Sequence, residues 1–203
     1  DLSEESRELI NLGSNELVCD IGSNDGNLLS YFKPYTQVVG ITPEDIGNIA
    51  IERGIPTIID YFNESSCKQV IEEYGKPKLI TATNVFAHID DPLSVLDRVS
   101  MLLDEQGVFV IEVHYLKSLI ETNQYDTIYH EHMRYYSLRS LQYLLNLKDF
   151  NIFHAKLIPS HGGSIRVYAS RSSIYQDHDT FDKLLFEEDS YFNNEQGLSS
   201  YRK

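Results

Sequence analysis

The chain has 203 residues, of which 41% are hydrophobic, with 17 Lys and Arg against 31 Asp and Glu and a formal net charge of −14. That length suits one domain with a sizeable core and leaves room for an incomplete appendage. The acidic balance argues against nucleic acid as a partner, because neutralising phosphates takes clustered Lys and Arg. No apolar run is long enough to span a bilayer and no signal peptide is present, so no membrane partner is expected. An anionic small molecule is still admitted, since it needs only a local basic pocket. Cys19 and Cys67 are the two cysteines. Cys19 lies in an apolar run, so a disulfide is not expected and a reducing, cytoplasmic compartment fits. The chain begins at Asp1 rather than Met and reads as a fragment, an excised domain or a processed product. Oligomeric state is not readable.

A helix pattern at 2–12 precedes the first apolar run, ELVCDIG (16–22). Strand patterns follow at 37–42, 56–61, 78–85 and 107–115, bounded by Gly, Pro and Asn. Helix patterns lie between them at 26–33, 44–53, 64–74 and 92–103. The last follows Asp90-Asp91-Pro92, with Pro at the first helical position. Continuous apolar strands alternating with helices imply a parallel sheet covered on both faces. After a helix at 138–147 the pattern changes: NIFHAKLI (151–158), the turn PSHGG and SIRVYAS (164–170) predict an antiparallel hairpin. Residues 173–203 are polar and weakly periodic, with FDKLLFEEDSYF as one candidate helix.

VCDIGSNDGNLL (18–29) reads as strand, tight turn and helix start. Asp20 falls at the carboxyl end of the first strand, where open α/β sheets bind ligands. Gly22 and Gly26 let the backbone turn sharply and approach a ligand closely. The dinucleotide pattern G-x-G-x-x-G is not met, because Asn24 and Asn27 occupy the later glycine positions. The spacing instead resembles the first motif of S-adenosylmethionine (SAM)-dependent methyltransferases, in which the turn packs on the methionine part and the acid contacts its ammonium. Any strand–turn–helix with two glycines would look similar.

DTIYHEHMRYYS (126–137) sets Tyr129, His130, Glu131 and His132 side by side ahead of a helix start at Ser137. Such a cluster on a loop can move protons at neutral pH, since an unperturbed imidazole titrates near pH 6.5. A metal site using the H-x-H spacing and a carboxylate is an alternative, although HExxH is absent and His114, His154 and His161 are scattered. A merely hydrogen-bonded loop is another. His88 has a capping or packing alternative, and His161-Gly162-Gly163 reads as a turn. Arg166 could meet a substrate phosphate or form a salt bridge in the sheet. Tyr135 and Tyr136 read as packing residues.

Four blocks taken in order, DIGSNDGNLL, ATNVFAHIDDP (82–92), DTIYHEHMRYYSLRSL (126–141) and HGGSIRVY (161–168), resemble the SAM-dependent sugar C-methyltransferases. These enzymes methylate C-3 of nucleotide-linked 4-keto-deoxysugars. The resemblance covers roughly residues 5–172. It implies a Rossmann-like class I methyltransferase fold: α/β, with a seven-stranded, mostly parallel sheet and a terminal antiparallel hairpin. It also implies a SAM-binding domain over 1–172, with 173–203 a polar tail or the remnant of a further domain. Asp20, Gly22, Ser23, Asn24, Asp25 and Gly26 fall on the family's SAM loop. Asn84 and Val85 fall on its fourth-strand segment, together with His88, which can face the substrate. Tyr129, Glu131 and His132 fall on its catalytic loop, and Asp60 could contact the adenine amino group.

The sequence departs from the family in three respects. Thr42, in VVGITPED, stands where the family usually has a Glu for the ribose hydroxyls; Thr42, Pro43 and Glu44 remain the candidate ribose segment, with SAM affinity expected to be reduced. Cysteines for the family's N-terminal zinc domain are absent, and so is its large C-terminal domain. No metal is expected. The implied chemistry is removal of a proton beside a ketone, followed by attack of that carbon on the SAM methyl. His132 suits the base, Glu131 could orient or recharge an imidazole, and Tyr129 or His88 could donate to the enolate oxygen. O- or N-methylation of another small molecule, or SAM binding without turnover, are the alternatives.

Overall fold

The computed structural model describes residues 1–176 and 179–193, so part of the 173–203 segment lies outside the described residues. The strands are β1 (Leu17–Ile21), β2 (Gln37–Thr42), β3 (Thr57–Ile59), β4 (Leu79–Thr83), β5 (Val108–His114), β6 (Asn151–Ile158) and β7 (Ser164–Ser170). They form a seven-stranded sheet in the order β3-β2-β1-β4-β5-β7-β6. The helices are α1 (Leu2–Ile10), α2 (Asn27–Phe32), α3 (Gly47–Glu52), α4 (Glu64–Tyr74), α5 (Pro92–Leu102), α6 (Leu116–Glu121), α7 (Leu138–Asn146) and α8 (Asp179–Asn193). All seven expected strands are present. The helix expected over 44–53 begins only at Gly47, because Gly47 N bonds to the Glu44 carbonyl in a turn that leads into it. Six-residue α6 had no periodic signal long enough to detect.

The protein divides into two compact units. The first comprises Asp1–Thr83 and Leu93–Val110. Within it β2 pairs in parallel with β3 and with β1, and β1 in parallel with β4. Every residue of β1 is buried, as both-face coverage of a parallel strand requires. Two of its helices, α1 and α4, are closed by local side chains. Asp1 and Glu4 form a capping box on α1, and Asn63 and Ser66 do so on α4. Cys19 and Cys67 are buried free thiols.

The second unit comprises Asn84–Pro92 and the residues from Ile111 on. β6 and β7 pair antiparallel, Ile158 opposite Ser164, across a 3-10 turn at Ser160–Gly162. Gly162 and Gly163 both have positive φ, 74° and 118°, which explains the double glycine. In α8, Glu188 is buried and accepts from the α7 amides Leu138 N (2.6 Å) and Arg139 N (2.8 Å). These are first-turn donors that no intrahelical carbonyl can reach. Asp189 pairs with Arg139 beside it. Burial first, and then the Glu188 carboxylate, push the Tyr115 hydroxyl well above its usual range. Among the described residues no helix is long and apolar enough to cross a membrane.

Removing the Glu188 carboxylate strands a buried amide at Leu138 and a partly buried one at Arg139. Glu188→Ala should cost about 2–4 kcal/mol of unfolding free energy in urea, while Glu187→Ala on the exposed side of α8 should change it by less than about 0.5 kcal/mol. Equal effects would show that the cap contributes nothing.

Candidate active site

In the first unit, β1 runs into a loop whose backbone is unusual. Gly22, Asn24 and Gly26 have φ of 74°, 53° and 75°. The loop folds back onto β2, with Gly22 N and Ser23 N both donating to the Ile41 carbonyl at 2.8 and 3.1 Å. At Gly26 a Cβ would stand 2.8 Å from Ile55 Cδ1 and 2.9 Å from Ala50 Cβ, so space and φ both demand glycine. Gly40, which the sequence reading did not single out, matters as much. A Cβ there would lie 2.3 Å from Ser23 Oγ, so its missing side chain makes room for Ser23. The Ser23 hydroxyl is buried and has no hydrogen-bond partner in the protein.

Asp20 is 2% exposed and accepts from Thr81 Oγ1 at 2.6 Å. Burial pushes its carboxyl up to about 7, with the Thr81 bond pulling the other way. Asp25 differs: its ion pair with Arg53, at 2.7 Å, holds it below the usual carboxylate range. Asn24 closes the loop locally, its Oδ1 accepting from Asp25 N at 2.8 Å. Thr42 is buried, with its methyl so close to Gly47 that a Cβ there would meet it at 2.8 Å. Pro43 and Glu44 are exposed. Asp60 is engaged within its own turn, Oδ1 accepting from Tyr61 N (2.7 Å) and Oδ2 from Asn63 Nδ2 (3.0 Å).

The second unit brings together several residues of the candidate cluster at 126–137. Its imidazole is His132. Nδ1 lies 2.9 Å from the Thr127 carbonyl and Nε2 lies 2.9 Å from the Tyr129 hydroxyl. A carbonyl can only accept, so Nδ1 carries the hydrogen, and the neutral ring keeps its lone pair at Nε2, towards which Tyr129 donates. The His88 and His114 rings lie 5.0 and 5.1 Å from that of His132, centroid to centroid. The Tyr135 hydroxyl donates to the same Thr127 carbonyl at 3.0 Å. Tyr135 is therefore more than packing, whereas Tyr136 is buried, its hydroxyl 3.4 Å from the Phe86 carbonyl.

Glu131 is exposed and reaches only the exposed His130, at 3.9 Å. The orienting partner of the His132 imidazole is thus the Thr127 carbonyl, where the sequence suggested Glu131, because consecutive side chains of this turn diverge. Asn84 has φ 57°, donates its N–H to the Glu112 carbonyl at 2.8 Å and keeps a buried Oδ1 without a partner in the protein. Val85, half-buried, leads into the 3-10 turn Phe86–His88. Arg166 forms the salt bridge in the sheet: its Nε and Nη2 bond Glu112 Oε2 at 2.9 and 2.7 Å, both side chains buried. No group of His, Cys, Asp and Glu among the described residues is arranged to hold a metal. Sequence reasoning missed the roles of Thr127, which acts through its backbone, and of His114, which lies outside the local cluster.

A family model described as a methyltransferase domain matches residues 3–155. The C-methyltransferase NovU of Streptomyces niveus is 38% identical over 165 residues, covering 80% of this chain and 39% of that protein. The sequence therefore spans about two fifths of that relative's length. Among solved structures, magnesium protoporphyrin IX methyltransferase from Synechocystis, with bound SAH, aligns at TM-score 0.60 and 14% identity over 78% of this chain and 75% of that one. A SAM-dependent methyltransferase from Aquifex aeolicus aligns at TM-score 0.59 and 16% identity, over 82% and 88%. These two likenesses concern the fold. The match over residues 3–155 places the chain in the methyltransferase domain family, with SAM as its cofactor.

Proposed function

We propose that this protein transfers a methyl group to carbon of a nucleotide-linked keto-deoxysugar through an enolate, as a step in deoxysugar biosynthesis in a reducing cytoplasm. The observation that carries this reading is the fixed tautomer of His132, which directs a basic nitrogen away from its backbone anchor. Methylation on carbon needs a base, because a C–H must first lose its proton. The four sequence blocks and the 38% identity to a C-methyltransferase support the same chemistry.

The first-unit loop fits the methionine end of SAM. Asp20 is a carboxylate whose ionisation burial opposes, and a ligand ammonium would relieve that penalty. Ser23 offers a buried hydroxyl without a partner among the described residues, and positive φ at Gly22, Asn24 and Gly26 curls the loop tightly at the end of β1. Asp25 serves as the loop's clamp to Arg53. Within the first unit, Thr42, Pro43 and Glu44 are the proposed ribose segment and Asp60 the proposed adenine contact; Asn84 and Val85, in the second unit, are further cofactor candidates by sequence. When bound, SAM supplies an electrophilic methyl that the substrate carbon takes, its sulfur leaving as a neutral thioether.

His132 Nε2 removes the proton beside the ketone, and the electron pair moves onto the ketone oxygen. The Thr127 carbonyl steadies the resulting imidazolium through Nδ1–H. Tyr129, displaced from Nε2 as that atom takes up the proton, donates to the enolate oxygen, with His88 beside it.

His132→Ala should lower solvent-deuterium exchange at the carbon beside the ketone by about 10²–10⁴-fold while SAH binding stays within about twofold, read by mass spectrometry and calorimetry. Full exchange in this variant would move the base elsewhere. No exchange and no methyl transfer in the unsubstituted protein with SAM bound would favour cofactor binding without turnover.

Asp20 gives a pH signature. With its carboxyl at about 7, it is mostly protonated at pH 6 and mostly ionised at pH 8. Only the ionised form pairs with the ligand ammonium, so SAH affinity should rise about tenfold between those values, with a proton released on binding at pH 6. Asp20→Asn should flatten the profile. A flat profile for the unsubstituted protein would contradict the assignment.

A further inference from the structure

Four hydrogen bonds tie the catalytic loop to the segment carrying His88. Met133 N donates to the Ala87 carbonyl at 3.0 Å, and the Tyr136 hydroxyl to that of Phe86 at 3.4 Å. Arg134 supplies the other two, Nη1 to the Ile89 carbonyl and Nη2 to the Asp90 carbonyl at 2.8 Å. These are the charge-assisted members of the set, and the planar guanidinium reaches two successive carbonyls through two separate nitrogens, whereas an ammonium presents all its donors from one. Ile89 ends the 3-10 turn Phe86–His88, so the guanidinium grips the backbone immediately after His88 while its own backbone lies two residues after His132.

We infer that Arg134 is a positioning residue that sets the spacing of His88 and His132. It touches neither ring. It fixes the two backbones from which the rings project, leaving them 5.0 Å apart and tilted by 58°. The loop's own bonds, His132 to Thr127 and Tyr129, orient the base within residues 127–132 but give it no fixed distance to His88. Met133 N and the Tyr136 hydroxyl join the same two segments with one neutral donor each, and Arg134 adds the charge-assisted pair. The inference rests on the proposed reaction only for its consequence in rate, because misplacing a catalytic group by about 1 Å can cost about 10²-fold.

The test uses the full-length protein with Arg134→Ala and Arg134→Lys, read first by the NMR cross-relaxation between the ring protons of His88 and His132, which needs no turnover. Arg134→Ala should lose that contact while SAH affinity and the urea midpoint move little, and Arg134→Lys, with one of the two carbonyls regained, should restore part of it. In the methyl-transfer assay, kcat should fall by about 10²-fold with Arg134→Ala and recover in part with Lys, KM for SAM being unchanged. Loss of the ring contact in a protein that shows no turnover would still support the strap and would count against the proposed reaction alone. An intact ring contact in Arg134→Ala, or an unchanged kcat in an active protein, would overturn the inference. Should Arg134→Ala fail to fold, the Lys variant decides: a ring contact as strong as in the unsubstituted protein would overturn it.

Discussion

The hydrogen bond from His132 Nδ1 to the Thr127 carbonyl is the constraint on which the proposed proton transfer depends. A backbone carbonyl has no donor state, so it selects one imidazole tautomer and leaves the basic lone pair on the far nitrogen. A carboxylate in its place would hold the same tautomer but bring a full negative charge beside the ring. The carbonyl is shared with the Tyr135 hydroxyl, so the residues flanking the base converge on one backbone atom. The proposed base is therefore as well placed as the 127–135 turn that presents it. The contacts of this turn to residues 86–90 are what anchor it, because residues 128–131 are themselves exposed.

The loop after β1, proposed to hold the cofactor, solves a different problem, that of a tight backbone turn. Positive φ at Gly22, Asn24 and Gly26 curls the loop tightly, and the strand beside it yields space at Gly40. Burial of Asp20 opposes its ionisation and pushes its carboxyl up to about 7, which is what the proposed ammonium contact would relieve. In the second unit, the cap supplied by Glu188 ties a C-terminal helix into the start of α7, the element that follows the catalytic turn.

Much of this was legible in the sequence because it rests on local patterns. Apolar strands bounded by Gly and Asn marked the sheet, PSHGG marked the hairpin, and Asp90-Asp91-Pro92 marked the start of α5. The glycine loop and the Tyr129–His132 stretch could be singled out for the same reason. What stayed hidden was long-range or carried by the backbone. Thr127 acts through a carbonyl that any residue possesses, and His114 reaches His132 only through folding. Gly40 gave no turn signal, since it sits within a strand to accommodate Ser23. Adjacency in sequence misled at Glu131, whose neighbour His132 points elsewhere.

The central claim is the tautomer, and nitrogen-15 NMR of the His132 ring in the full-length protein tests it without any substrate. The expected result is a protonated Nδ1 and an unprotonated, hydrogen-bond-accepting Nε2 in the neutral ring, with the Nε2 signal moving in Tyr129→Phe. A neutral ring protonated at Nε2 would contradict it, since no lone pair would then face away from the Thr127 carbonyl to take the substrate's proton.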